Sequence, residues 1–197
     1  MTNCDYLLDG NLEGDCTNPP VKGYDREGVI LNARDVLAYT TASGTPPRGQ
    51  FNAIQRKEGT KGYSIVIPGR TPFEGTAKAG VSKATGVHVQ KTVKFKFVDA
   101  GLTADNKVDI LNNGDFVIVL KPVYQGSDNQ SGYEIIGKES PLHFNASTQD
   151  RTGDTDGAWD ITLECTEPHA GNYLWDTDKA TTEALFQGLK TLVSIGG

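Results

Sequence analysis

Two segments with alternating apolar and polar residues constrain the fold of this chain more than any other feature. Residues 87–97 place valine or phenylalanine at every second position except Lys91, and residues 159–165 repeat the pattern from Trp159 to Cys165. Successive side chains of a strand point to opposite faces, so each segment has one apolar face and one hydrated face. This pattern predicts a mainly β fold, an antiparallel β-sandwich or open barrel whose sheet is covered on one side.

The rest of the chain adds an arm, shorter strands and a helix. Residues 1–27 are rich in Asp, Asn, Gly and Pro and predict an extended N-terminal arm, which leaves residues 28–197 as a single domain. A continuous apolar run at 116–120 predicts a central strand that is covered on both faces. Further strands are predicted at 29–31, 35–40, 51–56, 63–68 and 133–136.

Turn signals predict how some of these strands are connected. A glycine-containing turn between residues 51–56 and 63–68 predicts a hairpin, and a second hairpin is predicted for 116–124 with 133–136. Residues 69–86 are glycine-rich and predict a long loop, which we expect to contact neighbouring subunits together with the arm. Residues 99–107 predict another loop, followed by a short extended piece at 108–111.

A helix is predicted near the end of the chain. Asp176, Thr177 or Asp178 can cap it. Its apolar residues recur at three- and four-residue steps: Ala184, Leu185, Leu189, Leu192 and Val193.

The charge balance argues against a nucleic-acid-binding protein. The 197 residues include 25 acidic and 19 basic side chains, a formal net charge of −6. Nucleic-acid binders normally present a basic face, because phosphate contacts supply most of the affinity. Lys94 and Lys96, with Lys91 nearby, form only a short basic stretch.

Three cysteines are too few for a disulfide framework. Cys4 and Cys16 lie in the arm, where they can pair or bind metal, although reduced thiols are the favoured interpretation; Cys165 is in phase with the core. No signal peptide or membrane-spanning segment is recognised, so we expect the protein to begin in a cytoplasm.

One acidic loop is the best candidate for a metal site. Residues 154–157 match the inner part of an EF-hand loop, which makes Asp150, Asp154 and Asp156 candidate calcium ligands. The first and last ligand positions would be Thr152 and Leu163, and neither is suited to the role. A solvated acidic turn is therefore the favoured interpretation, with no metal and no cofactor expected.

Catalytic motifs are not recognised in this sequence. Ser64 and Ser82 lack a nucleophile-elbow context, and the three histidines are far apart along the chain. Carboxylate pairs such as Asp154 with Asp156 lack surroundings that would separate their pKa values. The sequence therefore predicts a protein that is not an enzyme.

The layout resembles virion structural proteins of tailed bacteriophages, especially the tail-tube and tail-ring group. The resemblance rests on the arm leading into 29–36, the antiparallel strands, the long loop 69–86, the strand 157–163 and the closing helix. It implies a non-enzymatic subunit that forms a homo-oligomeric ring or tube, with sheets of neighbouring subunits joined into an inner barrel through which DNA passes.

The resemblance also implies partners and a location. The partners would be copies of the chain and other virion structural proteins, with DNA only as passing cargo and no membrane. The protein would belong to the virion, assembled in the host bacterial cytoplasm, at a station that stays open: tube, neck ring, head decoration or baseplate hub. The alternative is a β-sandwich binding module for glycans or calcium on a virion or bacterial surface.

Overall fold

Strand pairing organises the chain into three sheets. The computed structural model describes residues 22–41, 48–84, 86–99, 101–125, 131–150 and 157–194. Its strands are β1 Tyr24–Asn32, β2 Val36–Thr40, β3 Gln50–Phe51, β4 Ala53–Arg56, β5 Tyr63–Val66, β6 Ala77–Lys83, β7 Gly86–Phe97, β8 Phe116–Pro122, β9 Tyr133–Ile136, β10 His143–Gln149, β11 Trp159–Glu167 and β12 Tyr173–Leu174. Its helices are α1 Leu102–Asn113 and α2 Lys179–Gly188.

The strand order gives one large sheet, one medium sheet and one small sheet. The six-stranded sheet has the order β3-β12-β9-β8-β1-β5, the four-stranded sheet has the order β10-β11-β7-β6, and β2 pairs with β4. The fold is mainly β with a C-terminal helix, as the sequence predicts, and the described strands form an open arrangement rather than a closed barrel.

Two apolar clusters lie on opposite faces of the six-stranded sheet. One joins Ile118 and Leu120 of β8 to Phe95 of β7 and Leu163 of β11, so the two larger sheets pack face to face. The other joins Val119 to Phe186 of α2 and to residues of β4. The central strand β8 is therefore buried at every position from Phe116 to Leu120, which confirms the prediction from its continuous apolar run.

Several predicted connections are wrong. β4 and β5 do not form a hairpin, because β4 pairs with β2 whereas β5 pairs with β1. Residues 69–86 are not a continuous loop, because β6 lies within them and pairs with β7 along its whole length. Residues 102–113 form α1 rather than a loop and an extended piece, with Ala104 and Val108 buried one turn apart.

The predicted boundaries of the first strand and of the C-terminal helix differ from those in the structure. β1 begins at Tyr24, so residues 24–27 belong to a strand, while residues 1–21 of the predicted arm lie outside the described residues. α2 begins after Asp178, whose side chain accepts a hydrogen bond from the Thr181 N–H. It ends at Gly188, whereas the predicted helix continues through Leu192 and Val193 to the glycines at 196 and 197. The hairpin of β8 and β9 is confirmed.

Candidate functional site

The acidic loop is only partly within the described residues. Asp154 and Asp156 lie outside them, whereas Asp150 follows β10, where its carbonyl accepts a hydrogen bond from the Gly157 N–H at 3.0 Å. Within the described ranges, no group of three or more His, Cys, Asp or Glu side chains could hold a metal ion. The predicted absence of a calcium site therefore stays a prediction.

A fully buried ion pair explains the one break in the apolar pattern of β7. Lys91 and Glu167 have no exposed side-chain surface, and the Lys91 Nζ donates to Glu167 Oε2. The second carboxylate oxygen accepts from the Glu139 N–H at 2.9 Å, and Asn172 Nδ2 lies 3.5 Å from Oε2. These contacts satisfy a charge pair that would otherwise be costly in this environment.

A second ion pair lies beside the first. Lys78 is directly opposite Lys91 in the pairing of β6 with β7, and its Nζ is 2.6 Å from Glu134 Oε1. Glu134, which is buried in β9, also accepts a hydrogen bond from the Tyr24 hydroxyl at 2.9 Å. The pair ties the edge strand β6 to the six-stranded sheet.

Burial raises the pKa of two groups at this polar cluster, the Tyr24 hydroxyl and the Cys165 thiol. Burial, together with the negative charge of Glu134, raises the pKa of Tyr24 well above its usual range. Burial and the charge of Glu167 raise the pKa of the neighbouring Cys165 thiol to about 12, so this cysteine is an inert core residue, as its phase predicts. The raised pKa values keep Tyr24 and Cys165 neutral at pH 7, so neither side chain is an activated nucleophile.

The opposite face of the four-stranded sheet is polar and is not covered by another described element. Residues directly opposite each other share a face, so Lys94 with Thr162 and Lys96 with Asp160 lie on this side. Lys94 Nζ is 3.1 Å from Asp160 Oδ2. Gln90 donates to Glu164 at 3.0 Å on the same face.

One edge of this sheet is open and extends into a projecting hairpin. Every residue of β6 is exposed except the half-buried Val81, and no other described strand pairs with its outer edge. β11 pairs with β7 only as far as Val89, so the hairpin around Val81 and His88 continues beyond the sheet. Val87, in this projection, is 75% exposed.

The opposite edge of the sheet is β10. Residues 143–146 are exposed, and α1 lies against this strand. β10 hydrogen-bonds to β11 on one side, and no other described strand pairs with its second side. The four-stranded sheet therefore has two edge strands with different sequences, β6 and β10.

Comparisons with known proteins found no match. No protein-family model, no curated protein and no solved structure matches the chain. The described part of the chain contains no helix long and apolar enough to cross a membrane.

Sequence reasoning identifies part of this arrangement. The departure of Lys91 from the apolar phase is visible in the sequence, but its partner Glu167 is 76 residues away and no local pattern connects the two. The open edge is not recognised, because β6 consists mainly of small and polar residues, with Val81 as its one β-branched residue and no aromatic residue to mark a strand. Asp105 and Asp109, which fall in the predicted loop at 99–107 and the predicted extended piece at 108–111, lie on α1.

Proposed function

We propose that the protein is a non-enzymatic structural subunit whose four-stranded sheets join edge to edge into a ring or tube. The carrying observation is a sheet with one packed face, one uncovered polar face and two edges that are unpaired among the described strands. An exposed edge is a template for pairing with another chain, and monomeric proteins usually block it with a bulge, a proline or a covering element. β6 has no proline and no register shift in its pairing with β7, so its edge has neither device. β10 has a register shift between Phe144 and Ala146 and lies against α1, so its edge is less open than that of β6.

The strand directions support pairing between identical copies. All three pairings in the four-stranded sheet are antiparallel, so β6 and β10 run in opposite directions. When a second copy is added by rotation about a ring axis, its β6 would lie antiparallel to β10 of the first copy. An even number of strands therefore continues the antiparallel pattern through every joint, and such head-to-tail contacts close into a ring if the rotation fits.

The projecting hairpin supports a contact beyond the edge itself. Val87 exposes a large apolar side chain at the end of a two-stranded extension. Isolated hairpins are marginally stable in water, so packing against a neighbouring copy would stabilise the projection. We infer that this hairpin takes the role expected of the long loop at 69–86.

The charges of the uncovered face suit a passage through which DNA moves. On β7 and β11, Lys94 and Lys96 are balanced by Asp160 and Glu164. Lys94 pairs with Asp160 of its own chain, so it does not present a free cation to a phosphate. A ring lined by this face would have little tendency to retain DNA, in keeping with a tail tube or tail ring of a virion.

Electron microscopy with two proline variants tests this proposal. Successive N–H groups of a strand point alternately toward and away from the neighbouring strand, so Ala79→Pro and Gly80→Pro remove donors on opposite sides of β6. We expect the parent to form rings or tubes. The variant that loses only the outward donor should stay monomeric, and its melting temperature should equal that of the monomeric parent. The other variant, which loses a donor to β7, is the matched control with a destabilised hairpin.

Light scattering, which measures the oligomeric state, can contradict the ring proposal. A parent that stays monomeric at its highest soluble concentration, with a melting temperature that rises on adding a glycan or calcium, would favour the binding module instead. Rings that form equally well with both proline variants would show that β6 is not the joint.

A further inference from the structure

A basic groove lies where the described chain begins. It has a volume of about 410 Å³ and is bounded by the start of β1, residues 69–72 and the end of β8. Four of its lining residues are basic and only Asp25 is acidic; the basic residues are Arg26, Arg70, Lys121 and Lys179. This is a local excess of positive charge on a chain whose net charge is −6.

Three of these four cations have no ion pair among the described residues. Lys121 Nζ lies 2.9 Å from Glu183 and 3.5 Å from Asp25, so its charge is compensated. Arg26, Arg70 and Lys179 are exposed and make no salt bridge within the described ranges. The groove therefore presents uncompensated positive charge to whatever enters it.

A buried amide in the groove wall requires a hydrogen-bond donor. Gln125 is 3% exposed, and its Oε1 is buried with no hydrogen-bond partner among the described residues. A buried acceptor without a partner is unfavourable. A peptide supplies N–H donors as well as carboxylates, whereas a fully ionised phosphate supplies only acceptors.

The sequence holds a segment of complementary charge next to this groove. Residues 1–21 contain Asp5, Asp9, Glu13 and Asp15 and no lysine or arginine. They join the described chain at Lys22, and the neighbouring Gly23 carbonyl accepts a hydrogen bond from the N–H of Val123 in the groove wall at 3.1 Å. The acidic segment is thus covalently attached beside the basic groove.

We propose that this groove binds the acidic segment 1–21 of its own chain in the unassembled subunit. A tether this short gives the segment an effective concentration on the order of millimolar, which favours it over the same segment of a second copy at micromolar protein. Twenty extended residues reach roughly 65 Å, which is far more than the width of the groove. The proposal does not rest on ring assembly and is tested on the monomer.

Native thiols in the segment allow a direct test by cross-linking. Val123→Cys places a thiol in the groove wall, and Leu192→Cys is the matched control, because both parent side chains are 56% exposed. Each is made in full-length chains that keep only one segment thiol, through Cys4→Ser or Cys16→Ser. After mild oxidation, mass spectrometry measures the link from Cys4 or Cys16 to the new cysteine.

The expected result is an intramolecular link at least fivefold more abundant with Val123→Cys than with Leu192→Cys. The excess should fall to the control level in the variant Asp5→Asn/Asp9→Asn/Glu13→Gln/Asp15→Asn. It should also fall in about 1 M salt, where the screening length is about 3 Å. Circular dichroism spectra that match the parent show that the substitutions leave the fold intact.

Three outcomes would overturn the proposal. Equal link yields at the two positions would mean that the segment has no preference for the groove. Links found only between molecules would assign the groove to the segment of a second copy. A control-level yield, with a melting temperature that tripolyphosphate raises in the parent but not in Arg26→Gln/Arg70→Gln, would assign it to a free phosphate-type anion.

Discussion

Lys91 brings a full charge into the apolar layer between the two larger sheets, where its ion-pair partner among the described residues is Glu167. Replacing Lys91 with methionine keeps most of the side-chain volume but leaves the Glu167 carboxylate buried without its cation. Loss of one partner of a buried pair costs about 3–5 kcal/mol. We therefore expect Lys91→Met to lower the free energy of unfolding by about that amount, measured by urea denaturation.

The double variant Lys91→Met/Glu167→Gln separates charge from packing. It removes both charges and keeps a side chain at 167 that can still accept the Glu139 N–H, so we expect most of the lost stability to return. Lys96→Met on the exposed face of the same strand is the control, with a change within about 0.5 kcal/mol. A double variant as unstable as the single one would contradict the electrostatic explanation.

Glu183 predicts a pH-dependent contribution to stability. Burial opposes its ionisation, but hydrogen bonds from Tyr133, Gln187 and Lys121 prevail and lower its pKa to about 2. Its contribution is therefore complete above the unfolded pKa of about 4.5 and is lost as the pH falls toward 2. Because the side chain is about one-third exposed, we expect Glu183→Gln to cost only about 1 kcal/mol at pH 7.

Thermal unfolding between pH 2 and pH 7 checks this expectation. The difference in melting temperature between the parent and Glu183→Gln should be constant above pH 5 and should shrink below it. Glu58→Gln, at an exposed turn residue, is the control at pH 7. A difference that grows as the pH falls would contradict the assigned direction.

At the scale of elements, the approach of β12 to residues 131–133 depends on a glycine. Gly132 has φ +73°, and a Cβ there would lie 2.3 Å from the Leu174 carbonyl oxygen. Gly59 has φ +72° but nothing within 4 Å of its Cβ position, which makes it a matched control. We expect Gly59→Ala to cost about 1 kcal/mol from the backbone alone and Gly132→Ala to cost at least about 2 kcal/mol more, measured by urea denaturation.

The strands that were predicted correctly have a pattern of apolar residues that follows from which of their faces are buried. β7, β8 and β11 contribute alternating or continuous apolar residues to the core, so their sequences identify them. β6 contributes almost nothing to the core, and its strand character comes from hydrogen bonds to β7. α1 buries only Ala104 and Val108 and has no side-chain cap, so its sequence lacks the stripe and the start signal of a helix.

Strand partners are harder to predict than strands. A glycine-containing turn between β4 and β5 predicts a hairpin, but the two strands enter different sheets. The large sheet is covered on one face by β4 and α2 and on the other by the four-stranded sheet. Which face each short strand covers is decided by tertiary packing and not by the turn that precedes it. The polar cluster joins residues of five strands, β1, β6, β7, β9 and β11, so its composition was not predictable.

For the molecule as a whole, the net charge of −6 predicts weak interaction with nucleic acid. At about 0.15 M salt we expect no micromolar binding of duplex DNA by the free protein. The net negative charge of the protein repels phosphate, and acidic and basic side chains balance each other on the uncovered sheet face. Fluorescence anisotropy with a labelled duplex measures this. Micromolar binding that Arg26→Gln/Arg70→Gln abolishes would show that the groove, and not the sheet, recognises phosphate.

The pairing of β7 with β11 is delayed while each new chain is synthesised. β7 ends at Phe97, and its central partner is complete only roughly 70 residues later. At about 5–20 residues per second, a ribosome needs roughly 4–14 s to synthesise that interval. During this time Val93 and Phe95 lack their β11 neighbours, Leu163 and Ile161. Nascent chains on one polyribosome would then be most prone to mispairing, and a holding chaperone would act best on this interval.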